Sequence, residues 1–313
     1  MSKEAVILIN PVCSGGKGWR KWLSIRDDVY RQLHTIPREV VLEKGLTLEQ
    51  ALPMPASERE VCLVSAGGDG SVHYLVNHLM TWPETARRQV TVGAIGLGSS
   101  NDFLKPFRQK IGNIPVLLNI QGATSRQDAG LARFADEWGV LQQKYFVVNA
   151  SFGVTAEANW KFNNPGRVLQ FLKKNAAGGA IIYTAVNTIL GHQNRNYTFT
   201  LDEEEFASSV SNINVLKSPF VSGSFRYGNG IAKDDGRLHF KACLGMSGWE
   251  LLRVLHNLQK GIFNPSQKTM SAAVQTIRVA AATPFVFECD GETTRTTAVA
   301  ITILPKALNV LTS

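Results

Sequence analysis

The sequence predicts an α/β fold with a parallel sheet over residues 1–125, joined to an antiparallel, β-rich part that begins at residue 126. Continuous apolar runs in the first part are typical of strands buried on both faces. These runs alternate with helical stripes, as strand–helix–strand units require. Beyond Arg126, short alternating segments separated by turn-rich gaps favour antiparallel pairing instead.

Three apolar runs define strands of the α/β part: residues 5–9, 61–65 and 90–95. Apolar side chains at helical spacing follow the first two runs. They are Trp22, Ile25, Val29 and Leu33 after the first run, and Val72, Leu75, Val76 and Leu79 after the second. A short strand over 39–42 and a short helical segment over 47–52 lie between these two units.

The β-rich part is predicted from its alternating segments. Strands are expected at residues 145–150, 197–201, 209–216, 238–244, 276–281 and 285–289. Two helices are expected, at 168–174 and 249–260. The chain has no internal repeat and no low-complexity linker, so the boundary is a change of pattern rather than a flexible hinge.

Composition narrows the class of protein. The 313 residues carry a net charge of +8 that is dispersed, which fits an anionic small ligand, a membrane surface or nucleic acid without choosing among them. The four cysteines share no CxxC spacing, which favours free thiols in a reducing cytosol over metal ligands or disulfides. The N-terminus is too weakly apolar for a signal peptide, and residues 176–190 are too few for a membrane helix. We therefore expect a soluble or peripheral cytoplasmic protein.

Glycine-rich loops follow all three apolar strands: NPVCSGGKG (10–18), AGGDGS (66–71) and GLGSSND (96–102). The carboxyl ends of parallel strands meet at one edge of a sheet, where ligands bind. Glycines let backbone N–H groups approach phosphate oxygens, so three such loops favour a polyphosphate site over mere tight turns. The loops match neither the P-loop, since Gly18 follows Lys17, nor GxGxxG, since Asn101 replaces the third glycine.

One carboxylate, that of Asp69, stands among the glycines of the second loop. A carboxylate there would repel phosphate unless Mg²⁺ or a substrate hydroxyl lies between them. Asp69 therefore indicates a role in metal binding or hydroxyl orientation. A turn or helix-capping aspartate is the alternative interpretation.

The order of five motifs resembles that of the diacylglycerol kinase catalytic family, which includes bacterial lipid kinases, sphingosine kinases and ceramide kinases. The motifs are NPVCSGG, GGDGS, GLGSSND, DDGRL and DGE, followed by the strand AITILPKAL near the C-terminus. The resemblance implies an N-terminal α/β nucleotide domain related to that of NAD kinases, and a C-terminal β-rich domain. It further implies that the C-terminal tail, about residues 299–313, returns to the first domain, which leaves residues 126–298 to the second.

The resemblance implies an ATP- and Mg²⁺-dependent lipid kinase acting on a hydroxyl of diacylglycerol or a sphingoid lipid. The implied nucleotide-binding residues are Asn10, Gly67, Gly68, Gly70, Ser71, Gly98, Ser99, Asn101 and Asp102. Asp69 and Glu292 are the implied catalytic residues, with Glu292 as the general base. Asp235 and the carbonyls of Ala232 and Arg237 match a structural magnesium loop. Asp128 matches a residue that contacts the lipid headgroup.

Two departures from the family pattern bear on ATP use: Tyr74 stands where a glutamate is usual, and Val41 where a threonine is usual. A kinase of a soluble substrate, as in the NAD kinases, and a nucleotide-binding membrane module without turnover are the alternatives. The expected partners are the lipid and an anionic membrane, contacted near Arg167, Lys173 and Lys174. Nucleic acid is not expected, and a homodimer is left open.

Overall fold

The computed structural model describes residues 4–43, 45–52, 54, 60–166, 169–170, 172 and 177–312. The chain forms two compact units. The N-terminal unit comprises Met1–Gln127 and Lys306–Ser313, and the C-terminal unit comprises Asp128–Pro305. Within the described residues, no helix combines the length and the apolar character that crossing a membrane requires.

The N-terminal unit alternates strands with helices. Its elements are β1 (Glu4–Ile9), α1 (Cys13–Gly16), α2 (Gly18–Leu23), α3 (Arg26–Leu33), β2 (Arg38–Val41), α4 (Leu48–Ala51), β3 (Val61–Gly67), α5 (Asp69–Leu79), α6 (Glu84–Arg87), β4 (Val90–Gly96), a 3₁₀ turn (Asp102–Leu104), β5 (Lys110–Ile111) and β6 (Ile114–Leu117). The parallel order is β2-β1-β3-β4, with Asn309 and Val310 pairing in parallel at the outer side of β4 and β6 pairing antiparallel to it.

The helices of the N-terminal unit pack on its sheet through the apolar residues that the sequence predicts at helical spacing. Trp22, Ile25, Val29 and Leu33 pack in one core with side chains of β1 and β3, and all four are at most 6% exposed. The apolar residues of α5 predicted at helical spacing are buried as well. The expected parallel α/β arrangement is confirmed.

The C-terminal unit is mainly antiparallel. Its elements are β7 (Thr124–Ala135, which begins in the N-terminal unit), β8 (Leu141–Phe146), β9 (Asn149–Gly153), α7 (Val154–Asn163), α8 (Ala177–Leu190), β10 (Arg195–Leu201), β11 (Glu204–Leu216), β12 (Phe220–Val221), β13 (Phe225–Arg226), β14 (Leu238–Leu244), α9 (Gly248–Gln259), β15 (Thr269–Val274), β16 (Thr276–Cys289) and β17 (Glu292–Leu311, which ends in the N-terminal unit). The strand order is β15-β14-β11-β10-β16-β17, and β9 pairs with both β11 and β16.

An aromatic core fills the C-terminal unit. Phe152 stacks on Phe287 at 5.2 Å between ring centroids, and Phe134 meets the same ring edge-on at 5.3 Å. Along β10, buried side chains alternate with exposed or half-buried ones, which is the period-2 pattern of a sheet with one buried face, whereas β9 is buried throughout. The predicted β-rich class is therefore confirmed.

Several predicted elements differ from the observed ones. The strand expected at 145–150 is the end of β8 and the start of β9, and the two strands expected over 276–289 are one long strand, irregular between Ala280 and Phe285. Strands β7 and β15 and helix α7 were not among the predicted elements. The helix expected at 168–174 falls largely outside the described residues, as do Arg167, Lys173 and Lys174.

Candidate functional site

The three glycine-rich loops start side by side at one edge of the N-terminal sheet. The pairing of β1 with β3 places Ile9 beside Ala66, and that of β3 with β4 places Gly67 beside Gly96. Because these residues lie at the carboxyl ends of neighbouring parallel strands, the loops that follow share one edge. This placement of the loops confirms the sequence prediction.

Close backbone approach explains the glycines of the second and third loops. A Cβ on Gly98 would lie 2.4 Å from the Cα of Gly68, closer than any side chain tolerates. The Gly98 N–H donates to the Gly67 carbonyl at 3.1 Å, which fixes this approach. Larger residues at these two positions would therefore push the loops apart.

The first and second loops are joined by side chains. Asn10 Nδ2 donates to Ser71 Oγ at 2.9 Å. The same hydroxyl lies so close to Gly67 that a Cβ at this position would be only 2.1 Å from Ser71 Oγ. Asn10 and Ser71, both predicted nucleotide-binding residues, thus form one contact between loops that are 61 positions apart in the chain.

Asp69 joins the second loop to the third. Helix α5 begins at this residue, and its Oδ1 accepts a hydrogen bond from the Phe103 N–H at 3.0 Å. Asp69 therefore caps the short 3₁₀ turn of the third loop. Its carboxylate is partly exposed beside Gly70, which is exposed at the N-terminus of α5.

The third loop is shaped by Asn101, whose φ of 50° lies in the left-handed region. Its Nδ2 donates to the carbonyls of Gly96 and Gly98, both at 3.2 Å. The neighbouring Asp102 is buried and pairs with Lys105 at 2.8 Å, whereas Ser99 is exposed. Asn101 thus serves to shape the loop, and Ser99 presents a hydroxyl at its surface.

Sequence reasoning missed Lys21, on α2. Its Nζ donates to Ser14 Oγ at 2.9 Å and to the Leu97 carbonyl at 2.8 Å, so one ammonium connects the first loop to the third. Burial lowers the pKa of Lys21 from its ordinary value. No motif marks this lysine, because its partners are identified only by the packing of the helix against the sheet edge.

The loop cluster has the donor chemistry of a polyphosphate site. It combines exposed glycines at Gly15, Gly16 and Gly70 with the N-terminus of an eleven-residue helix and a lysine ammonium. Backbone N–H groups and the helix dipole favour bound anions. The residues of the loop cluster therefore fit the triphosphate of a nucleotide such as ATP. Tyr74, which replaces the family's usual glutamate, is 44% exposed on α5.

In the C-terminal unit, the DGE motif forms a two-residue hairpin turn between β16 and β17. Asp290 and Gly291 have φ values of 47° and 94°, and Cys289 pairs with Glu292. Asp290 accepts three backbone hydrogen bonds, from Val147, Val148 and Asn149, at 2.9–3.0 Å. That network fixes the turn, while the Glu292 side chain is exposed at the start of β17.

Glu288 is a second carboxylate of this hairpin that the sequence did not single out. Its side chain is fully buried and accepts hydrogen bonds from Asn149 Nδ2, Ser151 Oγ and the Gly291 N–H. Burial raises its pKa to about 7, although the bonds from Ser151 and Gly291 act in the opposite direction. Glu288 therefore ties the turn that carries Glu292 to β9.

We expect Glu288→Gln to change how stability depends on pH. The folded protein holds the Glu288 proton up to about pH 7, whereas an ordinary glutamate releases it near 4.5. The stability that this proton contributes is thus present below 4.5 and lost as pH rises through 7. Urea unfolding at about pH 5 and about pH 8 should show that wild type loses more stability with rising pH than the variant does. If the free energy of unfolding changed equally with pH in the two proteins, the raised pKa of Glu288 would be contradicted.

A buried ionic cluster holds the DDG loop of the C-terminal unit. Lys217 Nζ contacts Asp128 Oδ2 at 2.9 Å, Asp235 Oδ1 at 3.0 Å and the Arg237 carbonyl at 2.8 Å. Burial alone would raise the pKa of Asp235, but hydrogen bonds from Lys217 and His239 outweigh it, and this pKa lies below its usual value.

This cluster does not fit the magnesium loop that the resemblance implies. The Asp235 carboxylate and the Arg237 carbonyl, two of the three expected ligands, both bind the Lys217 ammonium, which would repel a divalent cation. Among the described residues, no group of three or more His, Cys, Asp and Glu side chains could hold a metal ion. Asp128 is fully buried in the same cluster, which counts against its predicted contact with a headgroup.

The chain thus combines an α/β unit that carries a glycine-rich loop cluster with a mainly antiparallel, β-rich unit. The diacylglycerol kinase catalytic domain matches residues 4–132, and the YegS C-terminal NAD kinase beta sandwich-like domain matches residues 149–312. The chain therefore belongs to the diacylglycerol kinase catalytic-domain family. Membership in a kinase family makes it a phosphotransferase by class.

Individual relatives are distant. An uncharacterized protein of Synechocystis sp. is 22% identical over 99% of this chain and 70% of its own length. A Staphylococcus haemolyticus protein named "Putative lipid kinase" is 25% identical over 79% of this chain and 74% of its own. A crystal structure of a diacylglycerol kinase from Bacillus anthracis, 14% identical, aligns with a TM-score of 0.69 over 99% of this chain and 97% of that one. At this identity the structural likeness shows the fold alone.

Proposed function

We propose that this protein is an ATP-dependent lipid kinase that phosphorylates a hydroxyl of diacylglycerol or of a sphingoid lipid at a membrane surface. The observation that carries the proposal is the loop cluster of the N-terminal unit, in which three glycine-rich loops are joined by Asn10, Asp69 and Lys21. It supports triphosphate binding in a chain that belongs to a kinase family. The name of the Staphylococcus haemolyticus relative supports a lipid as acceptor.

The loop cluster would bind the triphosphate through backbone N–H groups, with Lys21 adding positive charge. Mg²⁺, when bound with ATP, would neutralise charge on the transferring phosphoryl group, and Asp69 is the side chain that would hold it. Asp69 would also hold the second and third loops together by accepting the hydrogen bond from the Phe103 N–H. Positioning of this kind supplies most of the catalysis in phosphoryl transfer.

Glu292 would act as the general base. It would accept the proton of the lipid hydroxyl while the hydroxyl oxygen bonds to the γ-phosphorus and the bond between that phosphorus and the β–γ bridging oxygen breaks, releasing ADP. The turn that carries Glu292 is fixed by the three hydrogen bonds to Asp290 and by the Glu288 bond to Gly291. A fixed turn suits a base, because proton transfer requires a defined position.

A panel assay tests the proposal. ADP release is measured with Mg·ATP and vesicles that carry diacylglycerol, monoacylglycerol, sphingosine or ceramide, each in neutral and in anionic lipid. We expect one lipid to stimulate ADP release in a saturable way, and more strongly in anionic vesicles, because the net charge is +8. Stimulation by a soluble alcohol instead would favour a soluble-substrate kinase. ATP binding without ADP release across the whole panel would favour a binding module.

A further inference from the structure

We infer that the ammonium of Lys217 is the built-in cation of the 232–239 loop, standing where the family resemblance places a structural magnesium ion. The C-terminal unit would then hold this loop without any metal. This inference concerns the folding of that unit and is independent of the proposed reaction.

The Lys217 ammonium is fully coordinated by oxygen atoms of the loop and its neighbours. The side chain is fully buried, and its three N–H donors match three oxygens at 2.8–3.0 Å: those of Asp128, Asp235 and the Arg237 carbonyl. A lysine ammonium has three donors, so every donor is satisfied. These distances are those of charge-assisted hydrogen bonds, which are longer than the roughly 2.1 Å of magnesium–oxygen contacts.

The groups that surround the ammonium are themselves held in place by further hydrogen bonds. Asp128 Oδ2 accepts from the Gly236 N–H at 2.8 Å, and the Asp128 N–H donates to the Lys233 carbonyl at 2.8 Å. His239 Nε2 lies 2.7 Å from Asp235 Oδ2. The cluster therefore joins β7, the end of β11 and the start of β14 around one cation, as a structural metal would.

The charges of the cluster also favour an ammonium over a divalent ion. Two carboxylates meet at the buried cluster, and the ammonium between them supplies the opposite charge that they need. A divalent ion would have to share Asp235 and the Arg237 carbonyl with a positive group about 3 Å from each. Removing the ammonium should take away the positive charge between the Asp128 and Asp235 carboxylates and open a place where a divalent ion can bind them.

Thermal unfolding without nucleotide tests the inference. Wild type should have the same unfolding temperature in a chelator, in MgCl₂ and in CaCl₂. Elemental analysis of the wild-type protein after gel filtration should find no stoichiometric divalent metal. Lys217→Ala should unfold on the order of 10 °C lower in chelator and recover in part when either salt is added. Lys241→Ala, which removes a partly buried lysine of β14, should show no such dependence on divalent ions.

Two results would overturn the inference. One is wild-type protein that carries a divalent metal and loses stability on chelation. The other is Lys217→Ala with the stability of wild type in chelator. If Lys217→Ala fails to fold, the chelation and elemental analysis of wild type still decide between an ammonium and a metal.

Discussion

Glu292→Gln should lower kcat for lipid phosphorylation by about 10²–10⁴-fold and leave the KM for ATP near its wild-type value. A lipid hydroxyl is a poor nucleophile at neutral pH, and a positioned base contributes a factor of this size. Glutamine keeps the size of the side chain but cannot accept the proton. The measurement is steady-state kinetics against whichever lipid the panel identifies.

The chain offers a matched control for this variant. Glu204 is also exposed, and it also opens a strand after a two-residue turn, pairing with Leu201 as Glu292 pairs with Cys289. Glu204→Gln should therefore change neither kcat nor KM. If Glu292→Gln retained most of its activity, its carboxylate would be only part of the hairpin turn, and the assignment of the base would be wrong.

Asp69→Asn should reduce kcat/KM for Mg·ATP by on the order of 10²-fold. Asparagine keeps an oxygen that can accept from the Phe103 N–H, so the second and third loops stay joined, but the negative charge is lost. The effect should therefore be on Mg·ATP use rather than on folding. Kinetics as a function of ATP and Mg²⁺ concentration measure the use of Mg·ATP, and the unfolding temperature measures the effect on folding.

Asp27→Asn is the control, because Asp27 is an exposed aspartate in the first turn of another helix of the same unit. It should leave Mg·ATP kinetics unchanged. An unfolding temperature that falls in Asp69→Asn while kcat/KM stays constant would mean that Asp69 acts only as the cap of the 3₁₀ turn.

Much of the N-terminal fold could be predicted, because burial on both faces makes a strand apolar throughout. Residues 5–9, 61–65 and 90–95 are such runs, and parallel pairing then placed their loops at one edge. In the C-terminal unit the expected break within 276–289 was wrong. Register shifts between Ala280 and Phe285, but the strand continues through the irregularity.

The side chains that join distant segments could not be predicted. Lys217 and Asp128 are 89 positions apart, and only the folding of the C-terminal unit brings them together. Lys21 looks like an ordinary helix lysine until its helix packs near the Leu97 carbonyl. Glu288 stands in an otherwise apolar run, and its partners Asn149 and Ser151 lie on β9, 139 and 137 positions away in the chain.

The central claim is that phosphate moves from ATP to a lipid hydroxyl. Its most direct test supplies ATP radiolabelled in the γ-phosphate with vesicles of the lipid panel and follows the label into the organic extract. We expect label to enter one phosphorylated lipid product in proportion to the ADP released, and we expect Glu292→Gln and Asp69→Asn both to suppress this incorporation. If the protein bound ATP tightly in the presence of Mg²⁺ but no lipid product carried label, the proposed lipid kinase activity would be contradicted.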